Sequence, residues 1–271
     1  VILLFKHSFI DKLFCKKETF FITVRCHNLM IICEIGLNHM GSTEYVNQYI
    51  KKIINSKVDG IIFHLREKTF YQQNPGSKFL LSDDFYYKIS KKLKNKTKFG
   101  MAIVDPDSVD FCEKIGVDFY KIFGDDIGNT KLINKIKETQ KKTFVSTGTA
   151  GMPEIKKFVK NVGNKKQNFT LVHTQLNYDS SLVNLKAIDS LKQFGLSVAY
   201  GNHASNIKVI YLALAFEPSD ILFYVKGDKV KKHVDEIHAV KLNQLPSFVN
   251  DLRLLPKSLG SGKKQKMKNQ T

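Results

Sequence analysis

Eight short apolar runs, each followed by a helix-like stretch, constrain this chain more than any other feature of it. The runs are Met30 to Cys33, Gly60 to Leu65, Lys98 to Val104, Asp118 to Ile122, Thr143 to Thr147, Phe169 to His173, Leu196 to Tyr200 and Asp220 to Val225. They are too short for helices and largely apolar, which is how parallel strands covered on both faces read. Helical patterns follow at Thr43 to Ser56, Asp83 to Leu93, Asp107 to Ile115, Thr130 to Gln140, Pro153 to Val162, Leu182 to Gln193, Ser205 to Phe216 and Asn243 to Leu255. Ser42 stands where a cap belongs, acidic residues open the stretch at Asp107, and Pro153 falls in a first turn. Strand and helix repeated in series predict an α/β fold closed as a (β/α)8 TIM barrel rather than an open doubly wound sheet.

A length of 271 residues suits one such barrel, assigned to residues 30–255. Residues 1–29 begin without Met and lack a clear period, so they read as a non-native or disordered upstream extension, and the lysine-rich tail 256–271 reads as disordered. Net charge is +18, yet of 43 basic residues only Arg25, Arg66 and Arg253 are arginines. Nucleic-acid sites lean on arginine for bidentate and stacking contacts, so no nucleic-acid partner is expected and a small anionic substrate is. No apolar run approaches the roughly 18 residues of a membrane span, and no membrane partner is expected. Cys15, Cys26, Cys33 and Cys112 show no C-x-x-C spacing, which argues against a zinc site or disulfide framework and for a reducing, cytoplasmic setting.

Barrels of this kind keep their chemistry at the C-terminal ends of the strands. That end collects Glu34, Asn38 and His39 after the first strand, His64 and Arg66 after the second, and Asp105 after the third. It also collects Lys121 and Asp126, Ser146 and Thr147, His173 and Tyr178, then Asn202 and His203. A single strand-end histidine or lysine reads equally well as structural. So many polar groups closing apolar strands together call for a ligand, water or metal to satisfy them.

Six segments carry a resemblance. They are Glu34 to Ser42 (EIGLNHMGS), Ser108 to Phe111 (SVDF), Tyr120 to Ile122 with Asp126 and Asn129, Val145 to Ala150 (VSTGTA), Leu171 to Tyr178, and Ala199 to Ala204 (AYGNHA). In that order they resemble the N-acetylneuraminate (sialic acid) synthase family, aldolase-type barrels that condense phosphoenolpyruvate with an N-acyl amino sugar such as N-acetylmannosamine. The product is a nonulosonic acid for surface carbohydrate, and phosphate is released. The resemblance implies that Lys121 and Ser146 bind phosphate, that Asp126 and Tyr178 lie against the sugar, and that Asn38, His39 and His173 also bind substrate. It further implies that Glu34 manages a proton or a developing cation, and that His203 is catalytic as one of two histidine ligands of Mn²⁺ or Mg²⁺.

Departures from the family pattern are equally specific. Ile62 stands where these synthases carry a phosphate-binding lysine, Ala102 where they carry a hydroxyl, Gly124 where they carry a serine, and Leu176 where they carry a polar residue. Their eighth strand reads E-K-H. Here Phe223-Tyr224-Val225 stands instead, so that Val225 takes the place of the second metal histidine and His39, His64 or His173 are the candidates to replace it. No segment resembling the SAF domain follows the barrel; family members pair through that domain, and a homodimer is left open. Two alternatives stand beside the synthase: a barrel that lost catalysis and serves as a binding or regulatory protein, and a Schiff-base aldolase or lyase using Lys121.

Overall fold

The computed structural model describes residues 29–228 and 232–264. Eight parallel strands, β1 (Met30–Gly36), β2 (Gly60–Leu65), β3 (Lys98–Ile103), β4 (Phe119–Ile122), β5 (Lys142–Ser146), β6 (Phe169–His173), β7 (Ser197–Gly201) and β8 (Asp220–Lys226), pair in sequence order and close through β1 and β8. The expected TIM barrel is the fold. Around it run α1 (Thr43–Asn55), α2 (Lys68–Gln72), α3 (Asp83–Leu93), α4 (Asp107–Ile115), α5 (Thr130–Thr139), α6 (Met152–Val162), α7 (Ala187–Lys192), α8 (Lys208–Ala213) and α9 (Leu245–Leu254). Ser42 caps α1 by accepting from the Tyr45 amide, and Asp105 accepts from the Ser108 amide at the start of α4.

Several boundaries differ from the sequence expectation. The polar stretch 66–82 contains α2 and a 3-10 turn at Gly76–Phe79. The helix expected from Leu182 is a 3-10 turn, Ser180–Leu182, followed by the shorter α7. A two-residue strand, β9 (Val240–Lys241), not foreseen, pairs with the upper end of β8 through Val225 and Lys226. Part of the tail expected to be disordered is ordered: Leu255–Leu259 forms a 3-10 helix after α9. Residues 1–28 and 265–271, where the other extension and tail expectations fall, lie outside the described residues. No helix of the described residues is long and apolar enough to cross a membrane.

Two buried layers result from strand alternation. One set of side chains, including Ile31, Cys33, Phe63, Met101, Tyr120, Val145, Leu171, Tyr200, Phe223 and Val225, packs outward against the helices. The alternate set, Ile32, Ile62, Ala102, Phe119, Phe144, Val172, Ala199 and Leu222, fills the barrel interior. Phe119 dominates the lower interior: a Cβ placed on Gly100 would stand 2.3 Å from its ring, and one on Gly60 3.1 Å away. Below, Lys142 Nζ lies 2.7 Å from Asp220 Oδ1, and Ser219 Oγ donates to Asp220 Oδ2. Arg253 bonds Asp59 and the Leu29 carbonyl, while the same Asp59 carboxylate accepts from the Ile31 amide.

Candidate active site at the barrel mouth

Two residues above each interior side chain, the same period places the next inward residue at the mouth. Ile32 leads to Glu34, Ile62 to His64, Phe119 to Lys121, Phe144 to Ser146, Val172 to Thr174, Ala199 to Gly201 and Leu222 to Tyr224. Gly36 lies at a register shift against β2 with φ +56, and a side chain there would strike Tyr224, 2.9 Å from where its Cβ would stand. Glu34, Lys121, Ser146, Thr174, Gly201, Asn202 and His203 line a small central cavity of about 10 Å³, room for about one water. A larger open groove beside α1 is lined chiefly by Asn47, Gln48, Lys51, Lys92 and Lys96 and lies on the outer helix layer, away from this chemistry.

Glu34 is the hub. Its Oε2 accepts from Lys121 Nζ at 2.5 Å and from His64 Nε2 at 3.3 Å, all three side chains being buried. Burial pushes the Glu34 carboxyl up, but the Lys121 ammonium and His64 outweigh it and hold it down at about 2. The imidazoles are lowered as well, and lowering leaves them uncharged where it leaves the carboxyl ionised. Burial, helped by the charges of His238 and Lys121, lowers His203 to about 3, and burial lowers His39 and His238 to about 4. At neutral pH Glu34 is therefore ionised, and His39, His203 and His238 are neutral imidazoles. Ser146 Oγ accepts from the Gly148 amide at 3.4 Å, which leaves its proton free for a ligand.

Of the residues singled out from sequence, Glu34, Lys121, Ser146, Asn202 and His203 meet at this cavity. Asn38 and His39 lie in the loop above β1. Asn38 Nδ2 donates to the Val225 carbonyl and its Oδ1 accepts from the Asp235 amide, while His39 Nδ1 accepts from the Gly41 amide and its Nε2 has no partner among the described residues. Tyr178 joins from above, its ring stacked on His238 at 5.7 Å between centroids. Asp126 stands apart, on a 3-10 turn, accepting from Asn129 Nδ2; burial raises its carboxyl. His173 does not face the cavity. It shares the outward face of Phe169 and Leu171 and pairs its Nε2 with the Val183 carbonyl, so Thr174 takes the inward position.

Strand parity also corrects the place of the missing histidine. Val225 packs among the outward residues, whereas Tyr224 faces inward, its ring centroid 5.8 Å from that of His64 and 5.5 Å from that of His203. A metal ligand has to face the mouth, so Val225 is not a position from which strand eight could supply one, and Tyr224 is the ring that strand eight places there. Sequence reasoning missed Asp235 and His238 altogether. Both belong to the segment between β8 and β9, which folds over the mouth: the Asp235 amide donates to Asn38, and the His238 ring lies 4.5 Å from that of His203. Burial and the Glu34 charge raise Asp235 to about 7. The only signal was the run KKHVDEIH, dense in imidazole and carboxylate just beyond the last strand.

Fold and site define an aldolase-like barrel whose mouth carries a buried carboxylate–lysine pair ringed by neutral imidazoles. The NeuB family model matches residues 48–264, and the chain belongs to that family. It is 28% identical to the N,N'-diacetyllegionaminic acid synthase of Campylobacter jejuni, covering 89% of this chain and 80% of that protein. It is 23% identical to the human N-acetylneuraminate-9-phosphate synthase over 88% of this chain and 73% of the relative. Among solved structures, the N-acetylneuraminic acid synthetase of Leptospira borgpetersenii, in complex with citrate, superposes with a TM-score of 0.81 at 24% identity, covering 88% of this chain and 87% of that one.

Proposed function

We propose that the protein condenses phosphoenolpyruvate with an N-acyl amino sugar to give a nonulosonic acid and inorganic phosphate. The observation that carries this reading is the meeting of Glu34, Lys121, Ser146 and His203 around one cavity at the mouth of a NeuB-family barrel. C3 of phosphoenolpyruvate forms the new bond to the sugar aldehyde carbon, whose oxygen takes up a proton. Water then adds to the cationic C2 and loses a proton, and cleavage of the C2–O bond releases phosphate and leaves a ketone.

Lys121 supplies the phosphate's counter-charge. As it stands, the cavity is too small for such a substrate; turning Lys121 from Glu34 to an incoming phosphate opens it and places the ammonium on the anion. The free Ser146 proton donates to the same phosphate. Glu34, held at about 2, is a weak base but a persistent negative charge, suited to stabilising the cation that develops at C2. Tyr178, half exposed above His238, offers a ring and a hydroxyl to the sugar.

The family resemblance implies Mn²⁺ or Mg²⁺, and the donors present fit a divalent ion: His203 stands beside His238, whose two ring nitrogens are buried and have no partner among the described residues. When bound, the ion would polarise the sugar carbonyl as a Lewis acid.

The test is phosphate release by the full chain given phosphoenolpyruvate, Mn²⁺ and a panel of N-acyl hexosamines including N-acetylmannosamine. Sugar-dependent release, reduced at least about a hundredfold in Lys121→Ala, is the expected result. No release with any sugar, while phosphoenolpyruvate still raises the melting temperature, would make the barrel a binding or regulatory protein instead.

A further inference from the structure

We propose that His238, on the segment between β8 and β9, is the second imidazole of the metal site, in place of a histidine on strand eight. The inference deepens the proposed synthase reading, which supplies the reason for a metal at this mouth. Its observations stand by themselves. His238 is 1% exposed, and neither of its ring nitrogens has a hydrogen-bond partner among the described residues. A buried polar atom left unpaired is destabilising, so two on one ring call for something to satisfy them. No other described side chain is left with two such atoms.

Its place fits the need. The His203 and His238 rings lie 4.5 Å apart between centroids with 25° between their planes, and His203 is the better exposed of the two, open toward the mouth. Asp235 Oδ1 stands 3.8 Å from His238 Nε2, too far for a hydrogen bond and near enough to contribute a carboxylate oxygen to the surroundings of a shared cation. No three or more His, Cys, Asp and Glu side chains among the described residues are already gathered as a ligand set. The proposed protein donors are these two imidazoles, with the remaining positions left to water and substrate oxygens.

Tyr224 explains why the donor had to move. It fills the inward strand-eight position with a ring that packs edge-on against both His203, at 5.5 Å, and His238, at 4.9 Å. The segment bearing His238 is tied down at several points. Asn38 Oδ1 accepts from the Asp235 amide at 2.8 Å, Lys226 Nζ donates to Glu236, and His233 bridges Glu236 and the Tyr45 hydroxyl. Those contacts engage His233 fully and leave His238 as the uncommitted imidazole of the segment, its ring stacked on that of His203. Of the substitutes suggested by sequence, His173 is paired with the Val183 carbonyl, His64 with Glu34, and His39 lies beside Phe63 with its Nδ1 taken by the Gly41 amide. Imidazole donors bias such a pair toward a first-row transition ion over Mg²⁺.

The experiment is a titration of the metal-free full chain with Mn²⁺, read by the electron paramagnetic resonance of the free ion, with no substrate present. The expected result is one Mn²⁺ per chain, weakened at least about tenfold in His203→Ala and equally in His238→Ala. Tyr224→His introduced into His238→Ala returns an imidazole to strand eight and restores binding. His238→Asn, closer in bulk, serves as the weakened variant if circular dichroism shows that the alanine variant does not fold. Unchanged binding in the folded His238 variant, or no Mn²⁺ binding by the parent chain, overturns the proposal. Because no phosphate is measured, the two readings fail separately. Metal binding through the pair without condensation removes only the synthase reading, and condensation with unaltered binding in His238→Ala removes only this one.

Discussion

The two ends of the barrel differ in how completely they satisfy their polar groups. At the lower end each buried or half-buried charge has its partners: Asp220 is met by Lys142 and Ser219, and Asp59 by Arg253 and the Ile31 amide. At the mouth lie all of the described buried side-chain atoms left without a partner, on His39, Thr174 and His238. The mouth also holds the most deeply buried ion pair, Glu34 with Lys121. Unpaired polar atoms cost stability and are retained where a ligand will meet them. The lower end thus serves the fold, and the upper end gives up stability to leave groups available.

Lys121→Met tests that contrast most severely. It leaves the Glu34 carboxylate buried against His64 alone and should cost about 3–5 kcal/mol in urea unfolding. Glu34→Gln combined with Lys121→Met should recover most of that loss while phosphate release stays abolished. Failure of the double variant to recover would mean that the pair holds the barrel together.

A second expected effect is on acid stability. His39 is lowered from an ordinary 6.5 to about 4, so its neutral form favours the fold above pH 6.5 and that contribution is lost as pH falls through 4. The parent chain should lose on the order of 3 kcal/mol over that interval through this residue. His39→Asn, which keeps an acceptor for the Gly41 amide, should flatten that part of the profile; an identical slope would show that His39 finds a partner for its charged form.

The smallest effect belongs to the lower end. Asp220→Asn should cost about 1–2 kcal/mol and leave both Mn²⁺ binding and phosphate release unaltered. Loss of release in a folded Asp220→Asn chain would break the division between the two ends.

The barrel and half of the mouth could be read from the chain because both follow from local pattern. Glu34, Lys121 and Ser146 are inward residues at the ends of apolar strands, and strand position alone locates them. Two misplacements came from neglecting strand parity. His173 shares a face with Phe169 and Leu171, and Val225 with Phe223, so neither can look into the mouth. Asp235 and His238 were beyond reach for a different reason: their position depends on contacts such as that between Asn38 and Asp235, 197 residues apart, which no local pattern encodes.

The close fit of Phe119 over Gly100 and Gly60 bears on how this barrel can diverge. A side chain cannot appear at position 100 while the phenyl ring stays, and a smaller residue at 119 opens a void while both glycines stay. The order of substitution matters, since shrinking position 119 first has to be survived before any gain at 100 can be had. Lineages carrying this ring are therefore committed to both glycines, and exchange of the trio should occur as correlated replacement across three adjacent strands.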